Sequence, residues 1–265
     1  MSLRINSNVE AFNAHRQLAA TSDRASKSME RLSSGYRINR AADDAAGLAI
    51  SEKLRGQIRG LAQAQRNAQD AVSLVQTGEG SLNEVHSMLQ RVRELAVQYQ
   101  NGTLSTSDKA AITAEAAQLQ SEIERIGAAA DFNGIKLLDG TAGTISFQVG
   151  ANDGDVISVT TSTLTSQIGT IDVTTTTSIS AIDAAIQNVS TMRGQFGAVQ
   201  NRLEHTLNNL ATYQENLMAS ESRIRDVDMA AEMVEFSKNQ ILQQAGTSML
   251  AQANQAPQAV LSLLK

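Results

Sequence analysis

An apolar repeat that alternates between spacings of four and three residues constrains the fold of this chain more than any other feature. Only one of its positions, Gln57, is plainly polar. The repeat runs through Ile50, Leu54, Gln57, Leu61, Ala64, Ala68, Ala71, Val75, Gly78, Leu82, Val85, Leu89, Val92, Ala96 and Tyr99. A repeat sustained over this many turns is typical of a long helix that packs against other helices in a coiled coil or bundle. The sequence therefore predicts a helix that is longer than a compact domain is wide.

Two further helices are predicted from the same kind of spacing. The repeat of the longer one runs through Ile182, Ala185, Val189, Met192, Phe196, Val199, Leu203, Thr206, Leu210, Tyr213, Leu217, Ser220 and Ile224. The shorter one carries Ile112, Ala116, Leu119, Ile123 and Ile126. Ser105 and Asp108 suit the start of this shorter helix, and Asn101-Gly102 suits the turn before it. Three helices with one apolar side each are expected to form a bundle.

The composition agrees with long helices and excludes several classes of function. Aromatic residues make up 3% of the chain and the single proline is Pro257, so little interrupts a helix. There is no cysteine, which excludes disulfides, thiol nucleophiles and thiolate metal sites. A net charge of −5 argues against nucleic acid or an anionic membrane as a partner. No cleavable signal is recognisable in MSLRINSNVEAF, and no apolar run has the length of a membrane span.

The pattern changes to that of strands and turns between about residues 131 and 180. Ile145, Phe147 and Val149 alternate with polar residues, and Asp153-Gly154 separates them from a second run that begins near Val156. This arrangement predicts a β-hairpin with its apolar positions at 145, 147, 149, 156 and 158. The stretch 160–180 is rich in Thr and Ser and is interpreted as a short β-like excursion that is flexible or glycosylated. A plain solvated loop is the alternative.

The two ends of the chain have weaker apolar patterns. The N-terminal repeat of Ile5, Val9 and Phe12 continues into Arg16, where it stops being apolar. Isolated helices with weak apolar sides are marginal in water, so the ends are expected to order against each other or against neighbouring molecules. The apolar residues by which the two ends are expected to make these contacts are Ile5, Val9, Phe12, Met229, Met233, Phe236, Ile241 and Met249, and we call them the predicted terminal face.

Together these patterns predict a mainly α fold, a long antiparallel helical hairpin or bundle with the character of a coiled-coil rod. A small β-hairpin region is expected at its outer side. Residues 1–44 and 225–265 are expected to form an inner terminal coiled-coil domain. Residues 45–140 and 181–224 are expected to form a helical rod domain, and residues 141–180 a short variable excursion.

Long ungapped blocks resemble one family. They are RLSSGYRINRAADDAAGLAI at 31–50, DAVSLVQTGEGSLNEVHSMLQRVRELAVQ at 70–98, FNGIKLLDG at 132–140 and SRIRDVDMAAEMVEFSKNQILQQAGTSMLAQANQ at 222–255. These blocks are similar to bacterial flagellin, and the resemblance covers the chain outside 141–180. The short intervening segment resembles the minimal form of the family, which lacks large outer domains.

The resemblance implies a structural subunit that polymerises into the flagellar filament for motility. It implies export of the unfolded chain by the flagellar type III apparatus without a cleaved signal peptide, and assembly at the distal tip outside the cell. The expected partners are other copies of the chain and an export chaperone, both of which would bind the predicted terminal face, and hook-associated junction and cap proteins. No enzymatic activity, cofactor, metal, nucleic acid or membrane insertion is expected.

The segment QRVRELAVQ at 90–98 resembles the patch of flagellin that an animal Toll-like receptor recognises. Arg91, Leu95 and Gln98 are spaced four and three residues apart, so they share one side of a helix, and Glu115 on the next helix would complete the patch. Leu95 lies one position from the apolar repeat and is expected to be exposed. The alternative is that these residues pack between subunits in the filament.

Isolated polar motifs do not support catalysis. His15, His86 and His205 are far apart in the sequence and match no metalloprotease pattern. Asp43 and Asp44 are expected to lie on a solvated face or in an inter-subunit salt bridge. Gly78 in QTGEG lacks the preceding strand and following lysine of a phosphate loop, so it is expected to allow close approach of another helix.

Two other functions remain open at this point. A hook–filament junction protein shares terminal heptads with flagellin, although DVDMAAEM and the closing block favour flagellin. A soluble coiled-coil scaffold would use similar helices without polymerising. Filament growth seeded by sheared fragments distinguishes a flagellin from such a scaffold, which would form discrete dimers.

Overall fold

A computed structural model of the chain describes residues 8–169, 171–175 and 178–263. The described residues form six helices and four strands. In chain order they are α1 Val9–Ser34, α2 Ala45–Tyr99, α3 Thr106–Ala129, β1 Asp131–Phe132, β2 Ile135–Lys136, β3 Thr144–Gln148, β4 Val156–Thr160, α4 Leu164–Ile168, α5 Ser178–Arg225 and α6 Met229–Leu263. The predicted mainly α fold class with a small β-hairpin is confirmed.

The chain divides into two compact units. The first consists of residues up to 56 and from 217 onwards, and the second consists of residues 57–216. Both boundaries fall inside helices, so α2 and α5 each contribute to both units. The division by role into residues 1–44 with 225–265, 45–140 with 181–224, and 141–180 stays a prediction.

Within the second unit, α2 buries three positions of each heptad. The predicted positions from Leu61 to Ala96 are buried, as expected. A third line, which the two-position repeat does not include, consists of Leu74, Ser81, Met88 and Leu95 at intervals of seven, and it is buried or half-buried. The wider stripe is needed because α2 packs against two helices rather than one.

Two ion pairs show which helices flank α2. Arg93 Nε donates to Asp183 Oδ1 on α5 at 2.6 Å. Arg91 Nη2 donates to Glu115 Oε1 on α3 at 2.8 Å. Leu95 lies one turn beyond Arg91 on this second side and is only 1% exposed. The expectation that Leu95 is exposed is therefore wrong, because it treated only the line through Val92 and Ala96 as the buried side of α2.

The apolar repeat does not hold at the start of α2. In the first unit Ile50 is exposed and Ser51 is buried instead. A straight α-helix drifts by about 20° per heptad relative to a strict seven-residue repeat. Repeat positions that face the core in the middle of a long helix therefore turn away from the packed side towards its ends.

The start of α3 follows the predicted capping signal. Ser105 is the N-cap, and its hydroxyl accepts from the backbone N–H of Asp108. In return the Asp108 carboxylate accepts from the Ser105 hydroxyl at 2.6 Å and from its N–H at 3.0 Å, which completes a capping box. The hydroxyl and N–H donors of Ser105 lower the pKa of Asp108.

The hairpin of β3 and β4 is confirmed, but the inward face of β4 is shifted by one residue. Phe147 pairs with Ile157, and Ile145 pairs with Val159. Ile157 and Val159 are therefore buried, whereas Val156 and Ser158 are exposed, contrary to the predicted positions 156 and 158. Because side chains alternate between faces, the register of the pairing, not the first apolar residue of the strand, determines which residues are buried.

The Thr- and Ser-rich segment after the hairpin packs into the second unit. Leu164 on α4, Ile171 and Val173 are buried in the same core as the α2 positions. The Leu164 N–H donates to Leu138 O at 2.8 Å. Ile168 is half-buried against the same core. Neither the β-like excursion nor the plain solvated loop describes these residues, since their four scattered apolar side chains pack onto the core.

Candidate assembly surface

The two terminal helices, α1 and α6, form an antiparallel pair in the first unit. Asn8 Nδ2 donates to Ala253 O at 2.7 Å near one end of the pair. Arg31 and Glu232 form an ion pair of 3.5 Å near the other end. Between them, Leu18 lies against Gly246, where an added Cβ would be 3.2 Å from Leu18 Cδ1. The two terminal helices are therefore ordered against each other, one of the two arrangements that the sequence left open.

The side of α1 that is covered has a regular spacing of three and four residues. Its members are Ala11, Ala14, Leu18, Thr21, Ala25, Ser28 and Leu32, all buried or half-buried. The predicted repeat through Val9, Phe12 and Arg16 follows the exposed side of the helix instead. The conclusion that α1 lacks a continuous repeat is wrong, because the covered side consists mostly of small residues with Leu18 and Leu32 among them, whereas Val9 and Phe12 lie outside it.

The covered side of α6 is also poor in large apolar residues. It consists of Glu232, Phe236, Asn239, Gln243, Gly246, Leu250 and Ala253, again at alternating spacings of four and three. Asn239 is almost completely buried. Its Nδ2 donates to Glu235 Oε1 on the same helix at 3.5 Å, and burial of a polar side chain adds little to stability. The α1–α6 interface therefore buries few large apolar side chains and is weakly stabilised.

Large apolar side chains lie instead on the outward surface of this pair. Phe12 is 81% exposed, which is unusual for an aromatic residue. The exposed large side chains of the two helices are Val9, Phe12, Met29, Met229, Met233, Val234, Ile241, Leu242 and Met249. We call this set the outward apolar face. It contains six of the eight predicted terminal residues; Phe236 is half-buried, and Ile5 lies outside the described residues.

A backbone clamp joins the end of α1 to the start of α6. Val227 N donates to Gly35 O at 3.0 Å, and Arg37 N donates to Arg225 O at 2.7 Å. The Arg225 guanidinium stacks 4.9 Å above the centre of the Tyr36 ring and donates to Glu52 Oε1 at 2.7 Å. The hydrogen bond from Arg225 lowers the pKa of Glu52. Sequence reasoning missed this clamp, because nothing in either segment indicates that the other is its partner.

Asp43 and Asp44 have local roles beside the clamp. Asp44 directly precedes α2, and its Oδ1 accepts from Gly47 N at 2.8 Å, as in a helix N-cap. Asp43 Oδ2 accepts from Arg40 N at 2.9 Å and Asn39 N at 3.2 Å. These backbone donors, with that of Arg40 foremost, lower the pKa of Asp43. Both carboxylates thus bind backbone N–H groups in and beside the loop before α2. This local role differs from the solvated face or inter-subunit salt bridge that the sequence predicts.

The second predicted site, on α2 and α3, is partly assembled on the surface. Arg91 Nε and Nη2 donate to Glu115 Oε1 at 3.0 and 2.8 Å, and Nη1 donates to Glu94 Oε2 at 3.0 Å. The bonds to Glu115 and then Glu94 raise the pKa of Arg91. Gln98 is exposed on the same helix. Arg91, Gln98 and Glu115 are therefore available to a partner, whereas Leu95 is buried beneath them.

Two other kinds of site were sought in the part of the chain that the structure describes. No group of three or more His, Asp or Glu side chains there is arranged to hold a metal ion. None of the helices in those ranges combines the length and the apolarity that crossing a membrane requires.

Comparisons with known proteins place these features in one family. The sequence model of the bacterial flagellin N-terminal helical region matches residues 5–143, and that of the C-terminal helical region matches residues 179–264. A flagellin of Halalkalibacterium halodurans is 56% identical over 98% of this chain and 99% of its own length. A flagellin of Bacillus subtilis is 48% identical over 99% of this chain and 100% of its own length. The crystal structure of Bacillus cereus flagellin is similar with a TM-score of 0.51 and 36% identity, over 55% of this chain and 88% of that one.

Proposed function

This chain belongs to the bacterial flagellin family and is a structural protein of the extracellular flagellar filament, not an enzyme. From this premise we propose that it polymerises through the outward apolar face of α1 and α6. The same helices pair with each other through small and polar residues. Each subunit would contact the next head to tail, through two different surfaces. Because such contacts do not close into a ring, they generate a helical filament.

The observation that carries this proposal is the inverted placement of apolar side chains on the terminal helices. An ordinary helix pair buries its large side chains and exposes its small or polar ones. Here Leu18, Leu32, Phe236 and Leu250 are the large apolar members of the two covered sides, while nine large side chains are exposed. Full burial of a large aliphatic or aromatic side chain contributes about 1.5–3 kcal/mol, so contact with neighbouring copies would supply the stabilisation that the pair itself lacks.

The weak α1–α6 pair also supports a route of export. We propose that the chain leaves the cell unfolded through the flagellar type III apparatus and assembles at the distal tip. Hook-associated junction and cap proteins would contact its terminal helices at the two ends of the filament. Helices with weakly apolar interfaces unfold at little cost, and the chain has no cysteine to cross-link it on the way.

Removal of the terminal helices tests the polymerisation proposal. A fragment of residues 57–216 retains the core of the second unit and is expected to remain a folded helical monomer. It should form no filaments when seeds of sheared full-length polymer are added, whereas the full-length chain should elongate them. Circular dichroism verifies folding and electron microscopy scores filaments. Filaments of the fragment alone would contradict the proposal.

A dedicated export chaperone is proposed to cover the C-terminal part of the same face before assembly. The apolar side chains of Met233, Ile241 and Met249 lie along α6, which suits binding of the helix in a groove of another protein. Deletion of residues 230–265 is expected to abolish capture of the chaperone in a pull-down, while a deletion within 57–216 leaves capture intact. Unchanged capture after the C-terminal deletion would exclude this segment as the binding site.

A host Toll-like receptor is proposed to recognise the monomer through Arg91, Gln98 and Glu115. The Arg91 guanidinium is already held in place by Glu115 and Glu94, so little side-chain freedom is lost on binding. Because Leu95 is buried, its part in this recognition is indirect: it supports the α2–α3 packing that holds Arg91 and Glu115 together.

A further inference from the structure

The methionines divide sharply between the two units. In the first unit Met29, Met218, Met229, Met233 and Met249 have between 46% and 63% of their surface exposed. Four of these five belong to the outward apolar face, and Met218 is on the last part of α5. Because methionine is usually a core residue, exposure of every described methionine in one unit is not explained by the stability of the monomer.

The second unit places its methionines differently. Met192 is buried, with 7% of its surface exposed, and Met88 is half-buried against the same core. The two units thus differ in how readily an oxidant in solution can reach a thioether sulfur. The chain also has no cysteine, so no thiol competes for the oxidant.

We propose that the exposed methionines make the outward apolar face a site of reversible oxidation by peroxides, and that this modification blocks polymerisation. The inference rests on the proposed function, since it assumes that the same face is buried between subunits. In each reaction the sulfur attacks one oxygen of hydrogen peroxide and the O–O bond breaks. The thioether, oxidised by two electrons, becomes a sulfoxide, and the second oxygen leaves as water.

A sulfoxide at these positions opposes assembly for a physical reason. It replaces an apolar, flexible group by one with a strong hydrogen-bond acceptor. Met233 shares this surface with Val234 and Ile241, which have no side-chain donor for that acceptor, and with Ser237 and Lys238, whose donors are exposed to water. A sulfoxide buried without a partner is unfavourable, and one that finds a partner only exchanges a bond to water for a bond in the interface, so each oxidised subunit should join a filament less tightly.

Oxidation should therefore act on the free subunit and not on the filament. In the monomer about half or more of the surface of Met29, Met229, Met233 and Met249 is exposed, whereas in the filament neighbouring copies would exclude peroxide from these residues. Subunits oxidised before incorporation would be rejected, and incorporated subunits would be protected. Methionine sulfoxide reductases reverse the modification, so rejected subunits can become competent again.

The experiment measures the critical concentration for polymerisation before and after dilute hydrogen peroxide. Wild-type monomer is expected to gain sulfoxides at the five exposed methionines, detected by mass spectrometry of peptides, and its critical concentration should rise at least about tenfold. Treatment of the oxidised protein with methionine sulfoxide reductases A and B should restore the original value. Assembled filaments given the same peroxide should acquire far less sulfoxide at the four methionines of the face.

Two variants serve as matched controls. The variant Met29→Leu, Met229→Leu, Met233→Leu and Met249→Leu keeps apolar side chains of similar volume, so its polymerisation should resist peroxide. The variant Met88→Leu and Met192→Leu alters only the core of the second unit, so it should stay as sensitive as the wild type. Reversal by the reductases tests the inference on the wild type even if the fourfold variant does not assemble.

The outcomes separate this inference from the proposed function. Normal polymerisation of wild-type protein with sulfoxides at the four positions would overturn the inference, as would equal oxidation of filaments and monomers. Failure of untreated wild type to polymerise would instead overturn the proposed function.

Discussion

Replacing Leu95 with alanine is expected to lower the free energy of unfolding of this protein by about 2–5 kcal/mol. Leu95 is fully buried at the heptad position that α2 directs towards α3, and it belongs to the core of the second unit. Alanine removes apolar contact area and leaves a cavity that long helices cannot easily close. Chemical denaturation followed by circular dichroism measures the change. The slope of the unfolding free energy against denaturant concentration should be the same for the variant and the wild type, which shows that the same structure unfolds in both.

Arg91→Ala is the matched control on the same helix. Arg91 is exposed, and surface ion pairs such as that with Glu115 add little to stability because water and salt screen them. The unfolding midpoint should therefore stay nearly unchanged, since alanine is also a good helix former. If Arg91 is an anchor for the receptor, signalling by the Arg91→Ala monomer should nevertheless fall about thirtyfold or more.

The pair of variants separates recognition from folding. Reduced signalling by Leu95→Ala is expected to follow its loss of stability, whereas reduced signalling by Arg91→Ala is expected at full stability. An undiminished unfolding free energy for Leu95→Ala would show that this side chain is not part of the core. Equal signalling by Arg91→Ala and wild type, at matched monomer concentration, would remove Arg91 from the proposed receptor patch.

The sequence predicted the second unit well wherever large aliphatic residues repeat. Leu82, Val85, Leu89 and Val92 mark the buried side of α2 because each is large enough to stand out from its neighbours. The Ser105 cap was predictable for a related reason, since the interaction with Asp108 is made within four residues. Features that depend only on nearby residues can be found without knowing the tertiary partners.

The positions that sequence reasoning missed depend on partners far away in the chain. Leu95 is buried because α3 covers it, and Ile157 rather than Val156 is buried because of the strand register. The Arg225–Tyr36 contact joins segments that share no pattern. In each case the missing information was which element lies opposite, and a spacing rule within one element cannot supply it.

The terminal helices show a different limit. Their covered sides consist largely of Ala, Ser, Thr, Gly, Asn and Gln, so hydrophobicity gives almost no signal for them. The residues that do stand out, such as Phe12 and Met249, lie on the exposed side. Counting large apolar residues therefore identifies the face proposed for assembly and misses the face that pairs α1 with α6. The same inversion is the main evidence that other molecules cover the large side chains.

Two glycines in α2 should respond in opposite directions to the same substitution. Gly80 is exposed, and a Cβ added there meets no atom within 4 Å. Gly80→Ala is expected to raise the free energy of unfolding by about 0.5–1 kcal/mol, because alanine loses less backbone entropy in a helix. Gly78 is buried, and a Cβ there would lie 2.8 Å from Cε2 of Phe196 on α5.

Gly78→Ala is therefore expected to lower the free energy of unfolding, by up to about 2 kcal/mol, because overpacking of about 1–3 kcal/mol outweighs the gain in helix propensity of about 0.5–1 kcal/mol. Phe196 is buried, so its ring cannot move aside without displacing other core residues. This agrees with the sequence-based expectation that Gly78 allows close approach of another helix. Denaturation of both single variants under identical conditions provides the comparison.

A double-mutant cycle identifies the neighbour responsible. Phe196→Leu removes the ring atoms that the new methyl group would meet, so Gly78→Ala should cost less in the Phe196→Leu background than in the wild type. The coupling is expected to be at least about 0.5 kcal/mol, the lower end of the range for residues in direct contact. Gly80→Ala should show no coupling to Phe196→Leu, since it contacts nothing on α5. Stabilisation of the protein by Gly78→Ala, or strict additivity with Phe196→Leu, would mean that Gly78 does not set the distance between α2 and α5.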